Sequence, residues 1–140
     1  MPEIKYIVIH CTATRSTVTI ESIRKRFDWD EPEYHYIIDN TGTISPMFIN
    51  ERMGDGPDAY SNASIHVAYI GGVDAKNNPK DTRTLKQKNA MKLWIRHLKH
   101  KYPDAIIQGH SDFPNVQRNC PAFDVQAWLK EIEDIQTDEW

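Results

Sequence analysis

The stretch IKYIVIHCTAT, Ile4 to Thr14, decides the fold. Ile4, Ile7, Val8 and Ile9 make a short, β-branched run, the composition of a buried strand. The run ends at the polar turn Cys11-Thr12-Ala13-Thr14, so His10 closes the strand. A strand end is where a sheet presents side chains to a crevice.

Working outward, Thr17 to Phe27 places Ile20, Ile23 and Phe27 at helical spacing, with Thr17 or Thr19 as the N-cap. Tyr34 to Asp39 reads as a second strand, and Asn40-Thr41-Gly42 turns it into Thr43–Phe48. Asn50 to Ala63 carries Gly54, Gly56 and Pro57 and reads as a long surface loop. Ser64 to Ile70 is a strand stopped by Gly71-Gly72. Thr84 opens the longest helix with Gln87 as its capping-box partner, and Met91, Trp94, Ile95, Leu98 and Tyr102 form the apolar stripe. Pro103 follows that helix. Ala105 to Gln108 is a last short strand, Gly109 to Phe123 is irregular, and Asp124 caps a final helix that aligns Val125, Trp128, Leu129 and Ile132. Strands separated by helices, without an internal repeat or linker, predict an α/β fold. Its mixed central β-sheet is flanked by α-helices and forms one domain over residues 1–140.

A chain of 140 residues with 39% hydrophobic and 10% aromatic content fills a real core. A formal net charge of −3 argues against a binder that tracks phosphates, so no nucleic-acid partner is expected. No apolar run reaches the roughly 18 residues of a membrane span. The start MPEIKYIVIH lacks the basic region and cleavage site of a signal peptide. The chain is therefore expected to be made in the cytoplasm and not inserted in a membrane; a monomer is expected as well.

Cys11 and Cys120 are too few for a disulfide framework; they read as one bridge, two inert thiols, or metal or catalytic chemistry. Neighbouring strand residues point to opposite faces, so if His10 faces a cleft, Cys11 faces the core as an inert thiol. His110 follows Gly109 at the end of the last strand, and Cys120 lies ten residues on. Two imidazoles and a thiolate suit zinc, and three protein ligands leave a fourth position open for water, as in catalytic sites. The spacing of His10, His110 and Cys120 is unspecific by itself. His35 shows no chelating pattern, and His97 and His100, among Arg96, Lys99 and Lys101, read as solvated.

The local contexts add specificity. IVIHCTAT, YHYIIDNTGTI, SIHVAYIGGVD, GHSD and CPAFD, in this order from about Ile4 to about Trp128, resemble the zinc-dependent N-acetylmuramoyl-L-alanine amidases. These form one superfamily with phage lysozymes of the amidase type and peptidoglycan-recognition proteins. The resemblance implies that fold, one zinc per chain held by His10, His110 and Cys120, and a catalytic role for Tyr34. It places Arg118, two residues before the metal cysteine, where close phage-type relatives carry a basic residue. The implied reaction is hydrolysis of the amide joining the muramoyl lactyl group to L-alanine of the stem peptide, as in a phage or prophage endolysin. The implied partner is peptidoglycan, and the place of action is the cell wall after release or export. A non-catalytic peptidoglycan-binding module and a hydrolase with a cysteine nucleophile are the alternatives.

Some positions depart from parts of that family. Ala68 stands where some relatives carry a glutamate base, His66 where glycine is common, and Gly56-Pro57-Asp58 where phage-type members often place a histidine. His66 shares a strand face with Ala68, so it is expected to enter the cleft and take over part of the proton traffic; the plain alternative is a core histidine. Tyr34 read without the resemblance is a half-buried strand aromatic, and Arg118 a solvated loop charge. Placed near the metal, the Arg118 guanidinium would stabilise an oxyanion, though it cannot carry protons.

Overall fold

The first strand owes its place to its composition. In the computed structural model, which describes residues 4–26, 34–47, 64–112 and 120–135, β1 (Tyr6–Cys11) is buried along nearly its whole length. It pairs in parallel with β4 (Ser64–Tyr69) on one side and β5 (Ile106–Gly109) on the other. Parallel strands covered on both faces need the near-continuous apolar run that IVI supplies. Beyond β4 lie β2 (Tyr36–Ile38), again parallel, and the antiparallel edge strand β3 (Ile44–Pro46). The order is β3-β2-β4-β1-β5, a mixed five-stranded sheet as the sequence predicts. Asp39 shapes the β2–β3 turn: its carboxylate accepts from the Thr41 and Thr43 backbone N–H groups, and Gly42 takes φ +86°. The expected loop from Asn50 to Ala63 lies outside the described residues, as does Phe27.

Among the described residues, three α-helices follow their sequence signals. For α1 (Ile20–Arg26), Thr19 is the cap: its hydroxyl accepts from the Ser22 N–H at 3.2 Å. The α2 helix (Leu85–Lys101) has the full capping box between Thr84 and Gln87, and Lys99, His100 and Lys101 offset the dipole in its last turn. Asp124 caps α3 (Val125–Ile135) through the Ala127 N–H at 3.1 Å. Among the described residues, no helix is long and apolar enough to cross a membrane.

The two faces of the sheet carry different loads. On one, Ile7, Ile9 and Cys11 of β1 and Ile65, Val67 and Tyr69 of β4 pack with Met91, Ile95 and Leu98 of α2 and Val125, Trp128 and Ile132 of α3. On the other, Tyr34, Ile37, Ala68 and Ile70 pack with Ile23 of α1. Cys11 therefore lies in the core, as alternation requires. Its side chain rests on Gly72, where an added Cβ would come within 2.5 Å of the thiol sulfur.

Gln87 does more than close a capping box. Wholly buried, it accepts from the Thr84 N–H and donates to the carbonyls of Ile38 and Ile70, at the ends of β2 and β4. One amide thus ties α2 to two strands. A Gln87→Leu substitution strips these buried groups of their partner and should cost about 2–4 kcal/mol. Urea unfolding measures it; a loss below about 1 kcal/mol would mean that water replaces the amide.

Candidate active site

The parallel register between β1 and β5 builds the site. Ile9 pairs with Gly109, so the next residues along, His10 and His110, stand side by side at the carboxyl ends of neighbouring strands. Their ring centroids lie 4.7 Å apart, about one interstrand spacing. His110 opens a short 3-10 turn, His110–Asp112, in which the Asp112 carboxylate accepts from the Gly109 N–H at 2.9 Å. Gly109 leaves room for the returning chain: an added Cβ would meet Val125 Cγ2 at 2.9 Å and Pro121 Cδ at 3.0 Å. That close approach delivers Cys120.

Cys120 is held by the main chain. Its carbonyl accepts from the Ser111 N–H at 3.0 Å, and its sulfur accepts from the Cys11 N–H at 3.1 Å. Cys11 thus serves the site through its backbone while its side chain packs in the core. Neither cysteine is in a disulfide, so the bridge reading is set aside. The ligand atoms of His10, His110 and Cys120 lie within 4.8 Å of one another, a group that can hold a metal ion. His10 is buried and the other two are half-buried, which leaves an approach from solvent.

Tyr34 and His66 flank His10. The Tyr34 ring lies 5.3 Å from the His10 ring, with its hydroxyl directed at the Cys11 carbonyl at 3.5 Å. His66 is buried, and its Nδ1 lies 2.8 Å from His10 Nε2. Ala68 pairs in register with His10 and is fully buried, so no carboxylate stands at that point. Arg118 lies outside the described residues, as do Pro114 and Asn115. His97 and His100 are exposed on α2, where His97 stacks on Trp94.

Three supporting residues escape sequence reasoning. His35 is fully buried; its Nδ1 accepts from the His66 N–H at 3.0 Å, and its ring stacks on that of His66. Its neighbours in YHYIID were the available signal, but neither periodicity nor spacing links it to His66. Arg83, paired with Asp81 at 2.9 Å, lies over the Phe123 ring just beyond Cys120. Tyr69 donates to the Pro121 carbonyl at 2.6 Å. Burial pushes the Tyr69 phenol far above its ordinary range, so it remains a protonated donor.

Comparison with known proteins identifies the family. The sequence profile of the N-acetylmuramoyl-L-alanine amidase family matches residues 1–123. The endolysin of Klebsiella phage KP32 is 32% identical over 141 residues, covering 97% of this chain and 92% of that protein. Among solved structures, the endolysin and N-acetylmuramoyl-L-alanine amidase LysCS from Clostridium intestinale URNW superposes with a TM-score of 0.76 at 20% identity, covering 94% of this chain and 85% of that one. Bumblebee PGRP-SA gives a TM-score of 0.71 at 22% identity, with coverages of 93% and 82%. These two structures share the fold. The chain belongs to the N-acetylmuramoyl-L-alanine amidase family. It is an amide hydrolase of peptidoglycan.

The Tyr69–Pro121 bond anchors the turn that carries Cys120. Tyr69→Phe leaves that carbonyl without its hydroxyl donor and should lower stability by about 1–2 kcal/mol, read as a lower urea midpoint with an unchanged slope. An unchanged midpoint would show that the turn is held by packing alone.

Proposed function

We propose that this amidase is zinc-dependent, with His10, His110 and Cys120 as the metal ligands, and that it acts as a phage-type endolysin. The observation that carries the reading is the convergence of these three donors at the carboxyl ends of β1 and β5. Two imidazoles and one thiolate are a donor set that zinc favours, and three donors, the number found among the described residues, suit a catalytic rather than a closed site. The spacing fits as well: His10 Nδ1 and Cys120 Sγ are 3.8 Å apart, against about 3.5 Å between nitrogen and sulfur on a tetrahedral zinc. The relation to the KP32 endolysin supports the endolysin reading.

Zinc, when bound, supplies Lewis acidity, activating water near neutral pH and polarising a carbonyl. The protein groups supply position and charge. Tyr34, whose ring lies 5.3 Å from that of His10, would donate its hydroxyl to the oxyanion that develops on the scissile carbonyl. Arg118 adds a fixed positive charge for the same oxygen and takes no part in proton transfer. The buried methyl of Ala68 beside His10 neither accepts nor donates a proton. The cleft bond is the amide between the muramoyl lactyl group and L-alanine, so the products are free stem peptide and intact glycan.

Chelation should abolish activity on purified peptidoglycan, and added zinc should restore it. Mass analysis should find stem peptides released without new reducing sugar ends. Activity that survives chelation but dies on alkylation would point to Cys120 as a nucleophile and overturn the reading.

Tyr34→Phe separates two roles for the phenol. As a transition-state donor it should lower kcat by about 10²–10³-fold with KM and zinc content little changed. Loss of zinc or of the folded state in this variant would make Tyr34 a structural residue.

A further inference from the structure

The bond between His10 and His66 joins the proposed metal site to the centre of the sheet. We infer that His66 is a positioning residue for the metal ligand His10: it holds the imidazole by its far nitrogen and so sets the strength with which the site keeps its metal. The inference rests on the zinc reading above.

The two nitrogens of His10 are divided between two neighbours. Nδ1 lies 3.8 Å from Cys120 Sγ, while Nε2 lies 2.8 Å from His66 Nδ1. A neutral imidazole that coordinates through one nitrogen carries its proton on the other. With Nδ1 as ligand, His10 Nε2–H donates and His66 Nδ1 accepts. Such a bond fixes the tautomer and the ring plane of the ligand and raises its basicity.

The acceptor is itself held in place. His66 sits within β4, a central strand between β2 and β1. Its N–H donates to His35 Nδ1 at 3.0 Å, and its carbonyl accepts from the His35 N–H at 2.8 Å. The two rings stack with centroids 5.7 Å apart and planes 13° from parallel. His35 is tied in turn to the edge of the sheet, its carbonyl accepting from the Met47 N–H at 2.7 Å. A rotation of His10 would break its bond to a ring that has packing on one face and backbone bonds at its base. This assigns His66 Nδ1 to the ligand, a different task from the proton transfer to which its strand face points.

Zinc-loaded protein, transferred to a chromophoric chelator, tests the assignment through the dissociation constant and release rate of the metal. His66→Ala and His66→Leu remove the acceptor; His66→Asn can return an oxygen near the position of Nδ1. Removing the acceptor should weaken zinc binding by about 10–100-fold, and His66→Asn should recover most of that loss. Cobalt-substituted protein should show altered d–d bands for the alanine and leucine variants and near-native bands for the asparagine variant. Circular dichroism and urea midpoints of the metal-free proteins report folding separately. Folded variants that keep native zinc affinity overturn the assignment. Should the alanine variant not fold, equal affinities in the leucine and asparagine variants overturn it as well. A native protein that takes up no zinc removes the zinc reading and this inference together, an outcome distinct from native uptake with indifferent variants.

Discussion

The register of β1 against β5 is the constraint on which the site depends. Pairing Ile9 with Gly109 leaves the next residue of each strand at the same height and on the same face, and both are histidines. A slip of one residue would turn one ring into the opposite layer, because strand side chains alternate. The register is fixed by burial: Ile7 and Ile9 must stay under α2 and α3. Apolar packing on one side of the sheet thus determines polar geometry on the other. Gly109 adds the third member by letting Pro121 and Val125 approach the strand closely enough to bring Cys120 in.

Around His10, His110 and Cys120, the supporting groups are largely backbone or aromatic rings. The Cys120 sulfur accepts a main-chain N–H from Cys11, and His10 meets another imidazole where a carboxylate is a common partner. Neither choice adds a carboxylate to the cluster. The Lewis acidity of a cation bound by two neutral imidazoles and one thiolate is less quenched than it would be with added carboxylates. Ala68 fits the same economy: beside His10 it fills space and adds no charge.

Much of this was legible in the sequence, and the failures have physical causes. The strands, the capping box at Thr84 and the burial of Cys11 behind His10 follow from period and cap chemistry, which are local. The face taken by Tyr34 was not legible. Strict alternation would put Tyr34 and Tyr36 together, yet Tyr36 packs with Trp94 under α2 while Tyr34 lies with Ile37 on the side of the site. The chain bends at His35, so the regular strand begins at Tyr36 and the count of two is lost there. The contact between His10 and His66 joins residues 56 positions apart, and the second amide role of Gln87 reaches Ile38 across 49. Contacts at such separations leave no trace in local periodicity. The grouping of His10, His110 and Cys120 became legible only through the motifs around it.

The cluster of His10, His110 and Cys120 also has a history along the chain. His10 lies in the first strand and Cys120 just before the last helix, 110 positions away. Doubling a loop costs only about 0.6 kcal/mol in closure entropy, so this separation weakens the finished site little. It does govern timing. Pairing of β1 with β4 and β5 is long-range and therefore slow to form, and during synthesis β1 must wait for both partners to emerge. A nascent chain that has not yet exposed Cys120 lacks the thiolate altogether. The grouping of His10, His110 and Cys120, drawn from the far ends of the fold, comes together only once the strands that carry it have paired.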